Sequence, residues 1–221
     1  MTMLEKNIKV FYELRQVEHR YASFDFCYNY FQSFQNKKQL STKENIQMSC
    51  LQLGFYLASW GMFRMSGFLG SSKSIKFFEE TIYLISRSGN DIIWEIDVNN
   101  YDNENMEKLI EWYYRLENVL SHKELDTSVL PTKTLVTKVM LGIFGCVPAL
   151  DSNFVKGMNI YGKFNEGTLL RIFEFYHKNK KVINKYSSKI KTLDFYSGRN
   201  TTLKYPKAKI IDMYGFMEGL K

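Results

Sequence analysis

Residues 144–153 read FGCVPALDSN, a stretch in which a single carboxylate, Asp151, follows an apolar run, a glycine and a proline. A carboxylate at the start of a helix can accept hydrogen bonds from the unpaired backbone N–H groups there and act as an N-cap. It can also stabilise positive charge that develops on a substrate, such as the oxocarbenium-like sugar formed when a glycosidic bond breaks. The stretch by itself leaves both interpretations open.

A lysine lies upstream at a spacing that could bring it to the same site. Lys133 is eighteen residues before Asp151 and is followed by Thr134. A neutral lysine amine can attack a sugar carbon and form a covalent imine, whereas a lysine in the first turn of a helix is otherwise a solvated charge. Lys138, further along the same segment, is a weaker candidate for imine formation and an alternative contact for a phosphate.

The order of residues in this region carries a family resemblance. Residues 129–158 read VLPTKTLVTKVMLGIFGCVPALDSNFVKGM: Leu-Pro, a short turn, Lys-Thr, an apolar helix ending in Phe-Gly, then Pro and an Asp at the next helix start. This order resembles the helix–hairpin–helix DNA glycosylase superfamily, the family of endonuclease III and MutY. The Pro-Ala-Leu-Asp-Ser-Asn-Phe ending is similar to the version found in the adenine glycosylases.

The resemblance implies an all-α, two-lobed enzyme that flips a base out of DNA and cleaves its N-glycosidic bond. Asp151 would stabilise the transition state. Lys133 would occupy the position of the Schiff-base lysine of the bifunctional members, which also cleave the strand at an abasic site. No cofactor is implied.

The DNA contacts implied by the resemblance begin at the hairpin. In the family two hairpin glycines hold a DNA phosphate through their N–H groups, whereas here Thr132 alone separates Pro131 from Lys133. The family's four-cysteine cluster is also missing. We assign DNA contacts to Thr132, Lys138 and Arg64, and Arg64 is also a candidate for the side chain that takes the place of the flipped base.

A flipped base needs aromatic walls and a side chain that takes its place in the stack. Aromatic residues in two parts of the chain are candidates for this pocket, and the alternative for the cluster at 112–114 is a place in the core or at an interface. The candidates are Phe63, Phe68, Trp112 and Tyr113, with Tyr114 in the same cluster.

The net charge of +7 is concentrated in one part of the chain. Residues 166–221 contain twelve Lys or Arg and five Asp or Glu, so they carry the whole excess, and residues 1–165 balance to zero. A one-sided basic surface attracts polyanions, nucleic acid first among them, although a solvated lysine surface is the alternative. The lysines assigned to DNA binding are Lys178, Lys180, Lys181 and Lys185.

Helical periodicity dominates the pattern of apolar residues. It predicts helices near 22–36, 42–60, 73–87, from 103, at 133–144, from 151, at 166–184 and at 206–218, with the helix at 42 opened by a Ser41–Glu44 capping box. Residues 60–72 predict a loop or bent helix end because of their glycines, and residues 91–98 a short strand. The chain is therefore predicted to be all-α, a single two-lobed domain over 1–221 with a basic segment at 166–221.

Three cysteines and three histidines are scattered along the chain, without a C-x-x-C pair. This predicts buried thiols, a reducing compartment and no metal site. No long apolar run or signal-peptide pattern is present, so a cytoplasmic protein without membrane contact is expected.

These observations favour a DNA glycosylase-like enzyme acting on duplex DNA, in base repair or in defence against foreign DNA. Two alternatives remain open. One is a helical nucleic-acid-binding module without catalysis. The other is a toxin-like or defence protein that acts through a protein partner.

Overall fold

The chain folds mainly into α-helices in the computed structural model, which describes residues 1–64, 67–89, 91–121 and 131–221. Within these ranges lie ten α-helices and one two-stranded antiparallel sheet. The all-α prediction is confirmed at this level, whereas the two-lobed, glycosylase-like arrangement stays a prediction. Leu130 of the Leu-Pro pair lies outside the described residues.

The elements follow one another without a βαβ unit in the described ranges. They are α1 Met3–Leu14, α2 Ser23–Ser33, α3 Ile46–Ser59, α4 Phe68–Ser72, α5 Glu79–Ser86, α6 Asn103–Ser121, α7 Lys133–Phe144, α8 Ser152–Met158, α9 Glu166–Lys189, β1 Lys191–Leu193, β2 Asn200–Lys204 and α10 Lys207–Gly219. Short 3₁₀ turns at Arg20–Ala22, Lys37–Ser41, Ile75–Phe78, Ile92–Trp94 and Val98–Asn100 connect several of them.

Two predicted elements near the N-terminal half are wrong. The α3 helix begins at Ile46, so Ser41 ends a 3₁₀ turn and does not cap it. Residues 91–98 form no strand but 3₁₀ turns, because Asp91 accepts a hydrogen bond from the backbone N of Ile93 at 3.0 Å. Trp94 then packs on Phe144, with ring centroids 4.7 Å apart.

The central helix is α7, which packs against α2, α3 and α6. Every residue from Leu135 to Phe144 is buried. The helix ends at Gly145, whose φ of 70° lies in the left-handed region, as predicted. A Cβ at Gly145 would lie 2.7 Å from Pro206 Cγ, so both backbone conformation and space favour glycine there.

Glycines also allow α8 and α10 to cross with their backbones in contact. A Cβ at Gly157 on α8 would overlap the carbonyl oxygen of Gly215 on α10 and lie 2.7 Å from the Gly219 N. A Cβ at Gly219 would overlap the backbone of Asn153. Because α8 begins directly after Asp151, this crossing fixes the position of Asp151.

A buried polar network joins the beginning of the chain to the β1–β2 hairpin. The Arg15 guanidinium donates to Asp25 Oδ2 at 2.9 Å, and the Leu193 backbone N donates to the same oxygen at 2.9 Å. The Tyr205 hydroxyl donates to the other oxygen of Asp25. Burial raises the pKa of Asp25 to about 6, against the opposing effect of Arg15.

Burial of Cys27, Cys50 and Cys146 is confirmed, and burial raises the pKa of all three thiols. Among the described residues no group of three or more His, Cys, Asp or Glu side chains could hold a metal ion. No helix in the described ranges is long and apolar enough to cross a membrane.

Candidate functional site

A cleft of about 550 Å³ opens where the end of α3, the starts of α7 and α8 and the end of α10 meet. We call it the Asp151 cleft. It contains four of the residues that the sequence assigned to the site, namely Asp151, Lys138, Thr132 and Arg64, and its lining also includes Arg20, Trp60 and Phe216.

Asp151 makes two different contacts through its two carboxylate oxygens. Oδ1 accepts a hydrogen bond from the Phe154 backbone N at 2.9 Å, so Asp151 is the N-cap of α8. Oδ2 lies 3.0 Å from the Lys138 ammonium. Both residues line the cleft, and the Asp151 side chain, at 16% exposed, is more accessible than that of Lys138, at 4%. Asp151 therefore caps α8 and also lines the cleft.

The ion pair lies against the indole of Trp60. Lys138 Nζ is 5.1 Å from the Trp60 ring centroid, and Lys209 Nζ is 5.5 Å from the same ring. Both ammonium groups are within the range of cation–π attraction. Lys209 is itself paired with Asp212 at 2.7 Å. Trp60 is therefore an aromatic residue of the cleft lining with two lysine ammonium groups near its ring.

The loop that delivers Asp151 is held by side chains from α7 and α10. The Ala149 backbone N donates to Asp212 at 3.1 Å, and the Leu150 backbone N donates to the Thr137 hydroxyl at 2.9 Å. The Thr134 hydroxyl donates to the Leu150 carbonyl at 3.0 Å. A buried loop with its backbone groups paired is a rigid support for a functional side chain.

Lys133 is placed differently from the sequence prediction. Its ammonium donates to the Gly162 carbonyl, and partial burial lowers its pKa. It is not among the residues that line the Asp151 cleft. Lys133 and Lys138 are five residues apart on one helix, which separates their directions by about 140° around the axis. The lysine that meets Asp151 is Lys138.

Three of the aromatic residues predicted for a base pocket lie outside the cleft lining, namely Phe63, Trp112 and Tyr113. Trp112 is buried against Phe144 with ring centroids 5.5 Å apart, and Tyr113 stacks on Phe164 at 4.6 Å. Phe63 is partly buried and packs towards the core. Trp112 and Tyr113 are therefore core residues, and Phe63 packs at the edge of the core.

The backbone of Phe68 begins α4, and its side chain lies outside what the structure describes. The aromatic residues that do line the cleft, Trp60 and Phe216, were missed. Trp60 follows α3 directly, and a bulky aromatic residue at a helix end before glycine is the signal that could have identified it.

The residues predicted to contact DNA lie on two surfaces, the Asp151 cleft and the exposed side of α9. Thr132 caps α7 by accepting a hydrogen bond from the Leu135 backbone N at 3.2 Å, and Arg64 is exposed at the cleft. The four α9 lysines assigned to DNA binding are all exposed, and Lys185 forms an ion pair with Glu5 at 3.1 Å.

One cleft thus combines a carboxylate that caps α8 and pairs with Lys138, the aromatic ring of Trp60, and two arginines, Arg20 and Arg64. Such a set can bind a planar group and stabilise positive charge beside it. Comparisons of the chain with protein-family models, with curated proteins and with solved structures found no match.

Proposed function

We propose that the protein is a DNA glycosylase-like enzyme that releases a base with water and forms no imine with the DNA. The observation that carries the proposal is the position of Asp151, which lines the cleft, pairs with Lys138 through Oδ2 and caps α8 through Oδ1. As the bond between base and sugar breaks, its electron pair leaves with the base. The positive charge on the sugar is then stabilised by the carboxylate until water adds to C1′.

Lys138 acts as a positioning residue in this proposal. Its ammonium lies 3.0 Å from Asp151 Oδ2, and this ion pair fixes the position of the carboxylate. The Lys138 nitrogen is engaged in this pair, whereas imine formation needs a free amine. Since Lys133 is bound to the Gly162 carbonyl, neither lysine is arranged as a nucleophile.

The cleft also has groups suited to DNA. Arg64 and Arg20 supply positive charge at the rim, and Trp60 supplies a flat wall for a base. The non-catalytic DNA-binding module is the second candidate, since the basic α9 surface would favour it even if Asp151 were only a cap.

The proposal is tested with the wild-type protein and duplex oligonucleotides that each carry one normal, damaged or modified base. We expect alkali-labile abasic sites on at least one duplex, and no covalent adduct when borohydride is added. An adduct lost in Lys133→Gln would contradict the water mechanism. Binding without base release on every duplex would favour the non-catalytic module.

The salt dependence of DNA affinity tests the basic surface of α9. We expect log affinity for duplex DNA to fall with log salt by roughly 0.9 per phosphate contact. Replacing Lys178, Lys180 and Lys181 with Gln should flatten this slope, because these exposed lysines lie in the part of the chain that carries the excess charge. The slope is obtained from fluorescence anisotropy titrations at several salt concentrations.

The matched control removes three exposed lysines from the neutral part of the chain, Lys6, Lys38 and Lys76. It should keep the wild-type slope. Equal slopes for the two triple variants would mean that α9 is a solvated surface without a DNA contact.

A further inference from the structure

Three large aromatic side chains are exposed close to one another on one side of the molecule. Phe55 on α3 is 67% exposed, and Phe195 and Tyr196 between β1 and β2 are 67% and 95% exposed. Phe55 and Phe195 line a recess of about 600 Å³ together with Phe26, which we call the aromatic recess. Contiguous exposed apolar surface of this kind marks a binding site.

The hairpin tip that carries two of these rings is held in place. Phe195 packs edge-on against Phe26 with centroids 5.2 Å apart, and Tyr196 is perpendicular to Phe195 at 5.5 Å. The Asp194 carboxylate accepts hydrogen bonds from the Ser197 backbone N at 2.8 Å and from its hydroxyl at 2.7 Å. The Tyr196 ring is thus presented to solvent by an ordered turn, which reduces the entropy lost on binding.

The aromatic recess adjoins the Asp151 cleft. Arg20 lines both, and its guanidinium lies 5.5 Å from the Trp60 ring centroid. Two consecutive residues also connect the two sites, since Ser59 lines the recess and Trp60 lines the cleft. A strand that leaves the cleft past Arg20 therefore reaches the recess directly.

The net positive charge of the hairpin beside the recess favours a polyanion over a protein. Residues 191–204, which form the hairpin, contain three basic residues and one acidic residue. In the lining of the recess, Arg20 is offset by Glu18. Exposed rings beside positive charge are the combination by which proteins hold unpaired bases, because every base has a face that stacks. Gln52 in the lining offers hydrogen bonds to base edges.

We propose that the aromatic recess binds an unpaired nucleic-acid strand, with bases stacked on Phe55, Phe195 and Tyr196. The strand would continue from the Asp151 cleft, and this part of the inference rests on the proposed function. Binding at the recess itself needs no catalysis.

The test uses the full chain and a fluorescently labelled oligo-dT, with affinity measured by anisotropy. Phe55→Ala and Tyr196→Ala should each weaken binding at least about fivefold. The dependence of affinity on salt should stay as in the wild type, because no charge is removed. Tyr196→Phe should bind as the wild type, since it keeps the ring. Tyr114→Ala is the matched control, because Tyr114 is also exposed but lines neither the recess nor the cleft.

Unchanged affinity in both alanine variants, or no binding of oligo-dT by the wild type, would overturn the inference. A wild-type dimer in sedimentation that Phe55→Ala dissociates, with oligo-dT binding intact, would overturn it in favour of a second copy of the chain. Ring-dependent oligo-dT binding by a protein that releases no base would support the recess and refute the glycosylase proposal. Base release with no ring-dependent binding would support the glycosylase proposal and refute binding at the recess.

Discussion

An Asp151→Asn variant is expected to release bases roughly 10²-fold more slowly than the wild type, or slower still, on a duplex that the wild type attacks. Asparagine can keep the cap, since it is about as good an N-cap as aspartate and its oxygen can accept from the Phe154 backbone N. The change removes the negative charge of Asp151, which lines the cleft. The measurement is the single-turnover rate of appearance of alkali-labile sites.

The substitution also leaves Lys138 without its partner. Because the Lys138 side chain is only 4% exposed, we expect Asp151→Asn to lower the free energy of unfolding by about 3 kcal/mol. The control is the double variant Asp151→Asn with Lys138→Met, in which no unpaired charge remains. It should regain much of the stability but none of the activity. Wild-type activity in the single variant would make Asp151 a helix cap and nothing more.

A Gly157→Val variant is expected to lose about 3 kcal/mol in the free energy of unfolding. Its side chain would meet the backbone of α10 at Gly215 and Gly219, and a backbone cannot move aside as a flexible side chain can. Urea unfolding followed by circular dichroism measures the loss. Base release should fall as well, because α8 would move away from α10 and carry Asp151 with it.

Gly167→Ala is the matched control for this prediction. Gly167 is also helical, but a Cβ there would be in ordinary contact, 3.5 Å from Asn165 Oδ1. We expect unchanged or slightly higher stability, since alanine favours a helix more than glycine does. A Gly157→Val protein as stable as the wild type would show that the two helices can separate at little cost.

The sequence predicted best those features that depend on neighbouring residues. Periodicity identified most of the helices, and the turn at Gly145 followed from glycine at a helix end. Asp151 at the start of α8 was predicted from the same local reasoning.

The features that depend on distant contacts were missed. Lys133 and Lys138 lie on the same helix, and only the direction of α7 relative to α8 decides which of them meets Asp151. The β1–β2 hairpin was missed because its strands are short and lie between two strongly helical segments. Residues 91–98 have the composition of a strand, yet no neighbouring strand is available to them in the described residues.

The polar network around Asp25 also has a consequence for how the chain is made. Asp25 and Arg15 pair with each other across ten positions, but their partners in the hairpin and Tyr205 lie 168 to 190 positions further along the chain. At a synthesis rate of about 5 to 20 residues per second, the ribosome needs roughly 10 to 30 s to supply them after Asp25. During that interval the Asp25 carboxylate lacks these partners, and closing so long a loop is a slow step in folding. The polar links between α2 and the hairpin can therefore form only after the hairpin has left the ribosome, later than the contacts of α2 with α3.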